Sequence, residues 1–167
     1  EISKKLRLKN SLIIKTVQKF NGLKYRQQII LKRKNLMIIN DSKSTSFSSS
    51  MGLLKSKKNI YWLLGGIPKK GDQFNLSKKY FNNIKAFIYG KNQKFFNKKL
   101  KGKIDFKNFK SLKDALSKIL MIIKKEKFKD KIILFSPCAA SFDNFKNFED
   151  RGLYFNKLIQ KISNGIK

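Results

Sequence analysis

The chain contains no histidine. A Ser-His-Asp or Cys-His mechanism confined to these residues is therefore excluded, and so are histidine-based metal sites. It has one cysteine, Cys138, which can form neither an internal disulfide nor a structural zinc site. That usage suits a reducing, cytoplasmic setting. Acidic residues number 10 against 40 basic ones. Arginine is almost as rare as proline, present only as Arg7, Arg26, Arg33 and Arg151. No apolar run approaches the length of a membrane span, and no signal-peptide pattern opens the chain, so no membrane partner is expected. The GxxxxGK[ST] spacing of a phosphate-binding P-loop is absent. The first residue is Glu1, and we expect the 167 residues to have been cut from something longer.

What remains is a length that suits one domain with a real core and a net charge of +30. Such a charge invites a nucleic-acid reading. Against it, the basic set is overwhelmingly lysine, whereas arginine is favoured for bidentate phosphate and base contacts. The lysines are also spread along the whole chain beside abundant Asn, Ile and Phe. All four residue types use A/T-rich codons, so base composition accounts for them equally well. A basic nucleic-acid-binding module is carried as the alternative function.

The chain is organised around one stretch. Ile132 to Phe135 is a short apolar run of buried-strand type. Ser136-Pro137 breaks it, since proline cannot continue a central strand. Three small residues follow, and Ser141 stands where a helix N-cap would stand. Phe145, Phe148, Gly152, Phe155, Ile159 and Ile162 then recur at three- or four-residue steps, as on one helix face. A strand, a polar turn and a helix start offer free N–H groups and a hydroxyl to an anion. The bland alternative is a capped helix with no ligand.

Before this stretch, residues 1–9 are basic and frayed in expectation. Ser11 to Phe20 reads as a helix ended by Asn21-Gly22. Residues 28–31 and 36–39 read as an antiparallel hairpin. A polar loop, Asn40 to Thr45, leads through serines into a helix carrying Met51, Leu53 and Leu54. Asn59 to Leu64 is a strand ending in Gly65-Gly66 and a lysine-bearing loop to Asp72. Helix 76–82, strand 86–89, helix 92–99 and a weak strand near 104–106 continue the alternation. Ser111 caps helix 112–125. This pattern predicts an α/β fold: a mostly parallel sheet with helices on both faces, and one antiparallel edge strand from the opening hairpin.

In open sheets of this kind ligands sit outside the carboxyl ends of the strands. The loops at 40–45, 65–72 and 136–145 all leave such ends. Together they would offer Lys43, Thr45, Lys69 or Lys70, Ser141 and backbone N–H groups. That is an anion-binding set without an obvious general base, and it contains no metal ligand cluster.

Four blocks carry a family resemblance. They are Phe20-Asn21-Gly22-Leu23-Lys24-Tyr25-Arg26, Ile39-Asn40-Asp41-Ser42-Lys43-Ser44-Thr45, Leu64-Gly65-Gly66, and Ser136-Pro137 continued by Phe145-Lys146-Asn147-Phe148-Glu149-Asp150-Arg151-Gly152. Over nearly its whole length the chain resembles the C-terminal domain of the Mur ligase family, in the branch that adds D-glutamate to UDP-N-acetylmuramoyl-L-alanine during peptidoglycan precursor synthesis. The resemblance implies a Rossmann-like acceptor domain over residues 23–167, with residues 1–22 as the helical tail of a preceding ATP-binding domain. It implies ATP and Mg2+ in the complete enzyme, held mainly by domains outside this chain, and a cytoplasmic monomer. The fragment alone is then expected to be inactive, with no catalytic residue assigned within it. By the same resemblance Ser141 and the backbone N–H of Phe148 match positions that hold the side-chain carboxylate of D-glutamate. Thr45 and Lys69 match positions at its α-carboxylate. Lys43 matches a lysine directed at the nucleotide phosphates, while Arg26 and Asp41 match nucleotide-side contacts. The chain departs from the family at Tyr25, where histidine is frequent, and at Ser46, where asparagine is frequent. Its cysteine lies one place early, and the loop after Gly66 is longer, which leaves Lys70 as the neighbour of Lys69.

Overall fold

The computed structural model describes residues 5–20, 22–126 and 130–164, the last three of these by backbone alone. Parts of the sequence-based expectation lie outside the described residues: the role of Asn21 in ending the first helix, the side chain of Ile162, and residues 1–4 of the basic start. The first helix, α1 (Asn10–Lys19), has no buried residue. Strands β1 (Gln28–Arg33) and β2 (Leu36–Asn40) pair antiparallel, as the short turn between them requires. Helix α2 (Phe47–Ser56) precedes β3 (Ile60–Gly65). A 3-10 helix (Lys78–Asn83) leads into β4 (Ile84–Tyr89), and α3 (Gln93–Leu100) into β5 (Asp105–Phe109). Helix α4 (Leu112–Lys125), strand β6 (Lys131–Phe135) and helix α5 (Phe148–Asn164) complete the order.

The six strands lie in the order β1-β2-β6-β3-β4-β5. Every pairing except β1–β2 is parallel. Parallel strands covered on both faces read as continuous apolar runs, and β3 is buried at all six positions. Alternate residues feed two cores. Trp62, Leu64, Ala86, Ile88 and Leu134 face α2, the 3-10 helix and α3. Tyr61, Leu63, Phe87, Tyr89, Ile133 and Phe135 face α4 and α5. Phe135 stacks on Phe155 of α5 at 4.3 Å between ring centroids, which fixes the final helix against the sheet.

Two expectations are corrected. The segment read as helix 76–82 is a 3-10 turn over Lys78–Asn83, a short connector that follows the core residues Phe74 and Leu76. Ser141 is not a helix N-cap. Its carbonyl accepts from the N–H groups of Asn144 and Phe145, forming a turn, and α5 begins at Phe148. Asn147 does the capping, its Oδ1 accepting from the Asp150 N–H at 2.8 Å. The serine run at 46–50 leads into a helix as expected. Ser46 caps α2 in a reciprocal box with Ser49, and Ser50 is fully buried.

Candidate functional site

Because β2, β6 and β3 are neighbours, the loops that leave their carboxyl ends start side by side. Backbone bonds join them. The Asp41 N–H donates to Phe135 O at 2.7 Å, and the Gly65 N–H to Pro137 O at 3.1 Å. Ile67 and Ala140 exchange N–H···O bonds in both directions at 2.9 Å. The structure thus brings the loops bearing Thr45, Ser141 and Lys69 to one rim of the sheet. Ser141 is buried, while Thr45, Lys69 and Lys70 are exposed. No hydrogen bond among the described residues takes the N–H of Phe148, an orphan donor at the first position of α5.

On the β1–β2 side of this rim lies a pocket of about 360 Å³. Arg26, Asp41 and Lys43 line it, with Ser44, Ser49, Gln27 and Phe20. All three residues expected on the nucleotide side therefore share one cavity, and the four expected on the acceptor side lie outside it. Two cations, a carboxylate, hydroxyls and an aromatic ring suit a phosphorylated nucleoside. The donor set does not suit a magnesium ion. Among the described residues no group of three or more His, Cys, Asp or Glu side chains comes together.

Asp41 is held from below. Its Oδ1 accepts from the Gln27 N–H at 3.1 Å, and its Oδ2 from Ser136 Oγ at 2.8 Å. Ser136 Oγ is 2.6 Å from Ser50 Oγ, which lies 2.7 Å from Ser44 Oγ, which lies 2.8 Å from Ser49 Oγ on the pocket wall. Burial pushes the Asp41 carboxyl above its ordinary range, opposed by the Ser136 hydroxyl, the Gln27 N–H and the Arg26 charge. The same hydroxyls surround Cys138. Its thiol is pushed up to about 12 by burial, so it is inert rather than nucleophilic.

Sequence reasoning gave no site role to several residues that build the rim. Arg151, fully buried, donates from Nη2 to Ser42 O at 2.7 Å and Ala139 O at 3.0 Å, and from Nε to Ser42 Oγ at 3.1 Å. Ser42 Oγ donates in turn to Phe148 O at 2.8 Å. Asn40 Nδ2 donates to Gly152 O and Asn156 Oδ1, tying β2 to α5. A Cβ on Gly152 would meet the Tyr25 ring at 2.4 Å, so only glycine lets that ring lie on the helix. Tyr25 O receives the Lys43 N–H at 3.0 Å. One signal was available: Arg151 is the only arginine after residue 33, in a region whose other basic residues are all lysine.

No protein-family model matches the chain. Curated proteins do. A UDP-N-acetylmuramoylalanine–D-glutamate ligase of Wolbachia sp. subsp. Brugia malayi (strain TRS) is 37% identical over 161 residues, covering 96% of this chain and 32% of the relative. Its counterpart in Rickettsia prowazekii (strain Madrid E) is 37% identical over 161 residues, covering 96% and 36%. That of Buchnera aphidicola subsp. Schizaphis graminum (strain Sg) is 39% identical over 166 residues, covering 97% and 36%. With an α/β sheet of this topology and these relatives, the chain belongs to the Mur ligase family. Within it the similarity is to the D-glutamate ligases. The chain spans about a third of the length of the curated relatives it matches, consistent with the C-terminal domain of such an enzyme.

Proposed function

We propose that the chain is the acceptor-binding domain of an ATP-dependent ligase that joins D-glutamate to UDP-N-acetylmuramoyl-L-alanine in the cytoplasm. In that reaction the γ-phosphoryl group of ATP passes to the substrate carboxylate. The amine of D-glutamate then displaces phosphate from the acyl phosphate, and ADP and phosphate leave. Ser141 and the Phe148 N–H hold the side-chain carboxylate of D-glutamate, and Thr45 and Lys69 its α-carboxylate. Arg26, Asp41 and Lys43 face the nucleotide from across a domain gap. Mg2+ is held elsewhere in the complete enzyme. Residues 1–22 serve as the tail of a preceding ATP-binding domain. In support of this, α1 leaves Leu12, Val17 and Phe20 exposed at 55, 67 and 64%. Alone, the chain binds the acceptor as a monomer and makes no amide bond.

The observation that carries this reading is the joining of three anion-type loops at adjacent strand ends, in a chain whose relatives bear the name of a D-glutamate ligase. An amide-resolved NMR titration with D-glutamate tests it. Shifts centred on Thr45, Ser141 and Phe148 are expected. Shifts absent from these amides at saturating D-glutamate would falsify the assignment. In the complete ligase, Ser141→Ala should raise KM for D-glutamate by about tenfold or more, the scale of a charge-assisted hydrogen bond.

A further inference from the structure

Arg151 has an environment that neither a surface lysine nor an ordinary core residue shares. Its side chain is 1% exposed. Among the described residues it makes no ion pair; the pair found there is the exposed Lys85–Glu126 contact at 3.6 Å. Its bonds go to neutral groups, two carbonyls and a hydroxyl. Its Nη1 and the Tyr89 Oη are both buried without a hydrogen bond of normal geometry, although the two groups interact with each other. Nη1 lies 3.1 Å from where a Cβ on Gly66 would stand, beside Ala139 and Ala140. Asp143, on the turn after Ser141, is near enough to act on the guanidinium electrostatically but does not pair with it.

Two consequences follow from general physics. One nitrogen shared by Ser42 O and Ala139 O fixes the distance between the loop that bears Lys43 and Thr45 and the turn that bears Ser141. The Ile67–Ala140 bridge passes this restraint to the loop of Lys69. A buried guanidinium with no carboxylate in ion-pair contact keeps part of its field, since solvent does not screen it and the Asp143 carboxylate offsets it only from a distance. Guanidinium stays charged under all ordinary conditions.

We propose that Arg151 is a positioning and specificity-determining residue of the acceptor site. It sets the spacing of the three loops, and its charge, held in no ion pair behind the Ala139–Ser141 turn, favours an acceptor with a second carboxylate over one with a neutral amide. The selectivity role rests on the acceptor reading above, whereas the spacing role does not.

The test uses the 167-residue chain in wild-type, Arg151→Lys, Arg151→Met and Ser42→Ala forms. Hydrogen exchange at the Ile67, Ala140 and Ser44 amides should accelerate by about tenfold or more in both Arg151 variants, because methionine has no donor and a single ammonium cannot reproduce the separate Nε and Nη2 contacts. The β4 amides should be unaffected. Ser42→Ala keeps the charge, removes only the Nε contact and the Phe148 O bond, and should give an intermediate effect. The preference for D-glutamate over D-glutamine, measured by NMR titration, should fall about tenfold in Arg151→Met and much less in Arg151→Lys. A purely structural residue would weaken both ligands alike. Unchanged exchange in both Arg151 variants overturns the spacing role. Intact discrimination in Arg151→Met overturns the selectivity role. If that variant does not fold, a discrimination loss of about tenfold in Arg151→Lys, which keeps the charge, overturns it instead. No response of the wild-type chain to D-glutamate overturns the acceptor reading and the selectivity role together, while the exchange result still decides the spacing role.

Discussion

The ammonium of Lys43 sits 3.8 Å from the centre of the Phe148 ring, closer than any other lysine–ring contact found among the described residues. A side chain that lines the pocket proposed for the nucleotide thus rests on the first residue of α5, whose N–H is proposed for the acceptor. The contact is worth about 0.5–1 kcal/mol at a half-exposed site. That is small enough for a phosphate group to displace it. Phe148→Leu should leave the backbone N–H in place, cost about that much stability, and remove the ring-current shift of the Lys43 side-chain resonances. ATP added to the wild-type chain should move the same resonances in the same direction. Lys43 signals that ignore both the substitution and ATP would separate the two subsites.

The buried carboxyl of Asp41 gives stability a pH dependence of known sign. Its folded-state affinity for a proton exceeds the ordinary value of 3.8, chiefly through desolvation. Between the ordinary value and the raised one, the folded chain holds a proton that the unfolded chain has released. The contribution of this group to stability is therefore greatest below pH 3.8 and is lost as pH rises through the folded-state value. The difference in denaturation midpoint between wild type and Asp41→Asn, followed from acid to neutral pH, should shift in favour of the variant as pH rises. A difference that is flat across this range, or that runs the other way, contradicts the buried carboxylate.

Cys138 should behave as a core residue. With its thiol at about 12 and its sulfur 2.9 Å from Ser50 Oγ, very little thiolate exists near neutral pH. An alkylating reagent should fail to label the native chain and label it fully in denaturant. Native labelling at the denatured rate would show the Ser44–Ser50–Ser136 hydroxyl cluster to be open.

The alternation of apolar runs was enough to place all six strands, and the bounds of α4 follow from Ser111 and its periodic face. The start of α5 was not legible. Phe145 keeps the helical spacing yet packs on Tyr154 from a turn, so periodicity ran past the true boundary. Arg26, Asp41 and Lys43 sit in short contiguous blocks of the family resemblance, and the structure places them around one pocket. The ties beneath them were not legible. Arg151 meets Ser42 across 109 positions, and Ser136 meets Asp41 across 95. A local pattern cannot encode which carbonyl a distant guanidinium will find. Such partners are fixed only when the parallel strands have stacked in order.

Glycine at position 66 provides the most direct check on the joined loops. Its φ of +124° lies where side chains are disfavoured, and a Cβ there would stand 2.4 Å from Ala140 O. Relief would require breaking the Ile67–Ala140 bridge or displacing Arg151. Gly71, in the same loop, has a φ of +79° but nothing within 4 Å of its Cβ position. Gly71→Ala should therefore cost about 1–2 kcal/mol, from backbone conformation alone. Gly66→Ala should cost more than about 3 kcal/mol, adding steric displacement and lost hydrogen bonds to the same backbone penalty. Denaturant unfolding of the two variants compares them directly. The D-glutamate-induced shift at Ser141 should survive in Gly71→Ala and vanish in Gly66→Ala under conditions where both remain folded. Equal penalties with equal retention of the shift would mean that the loops after β3 and β6 act independently, and the rim would not be one site.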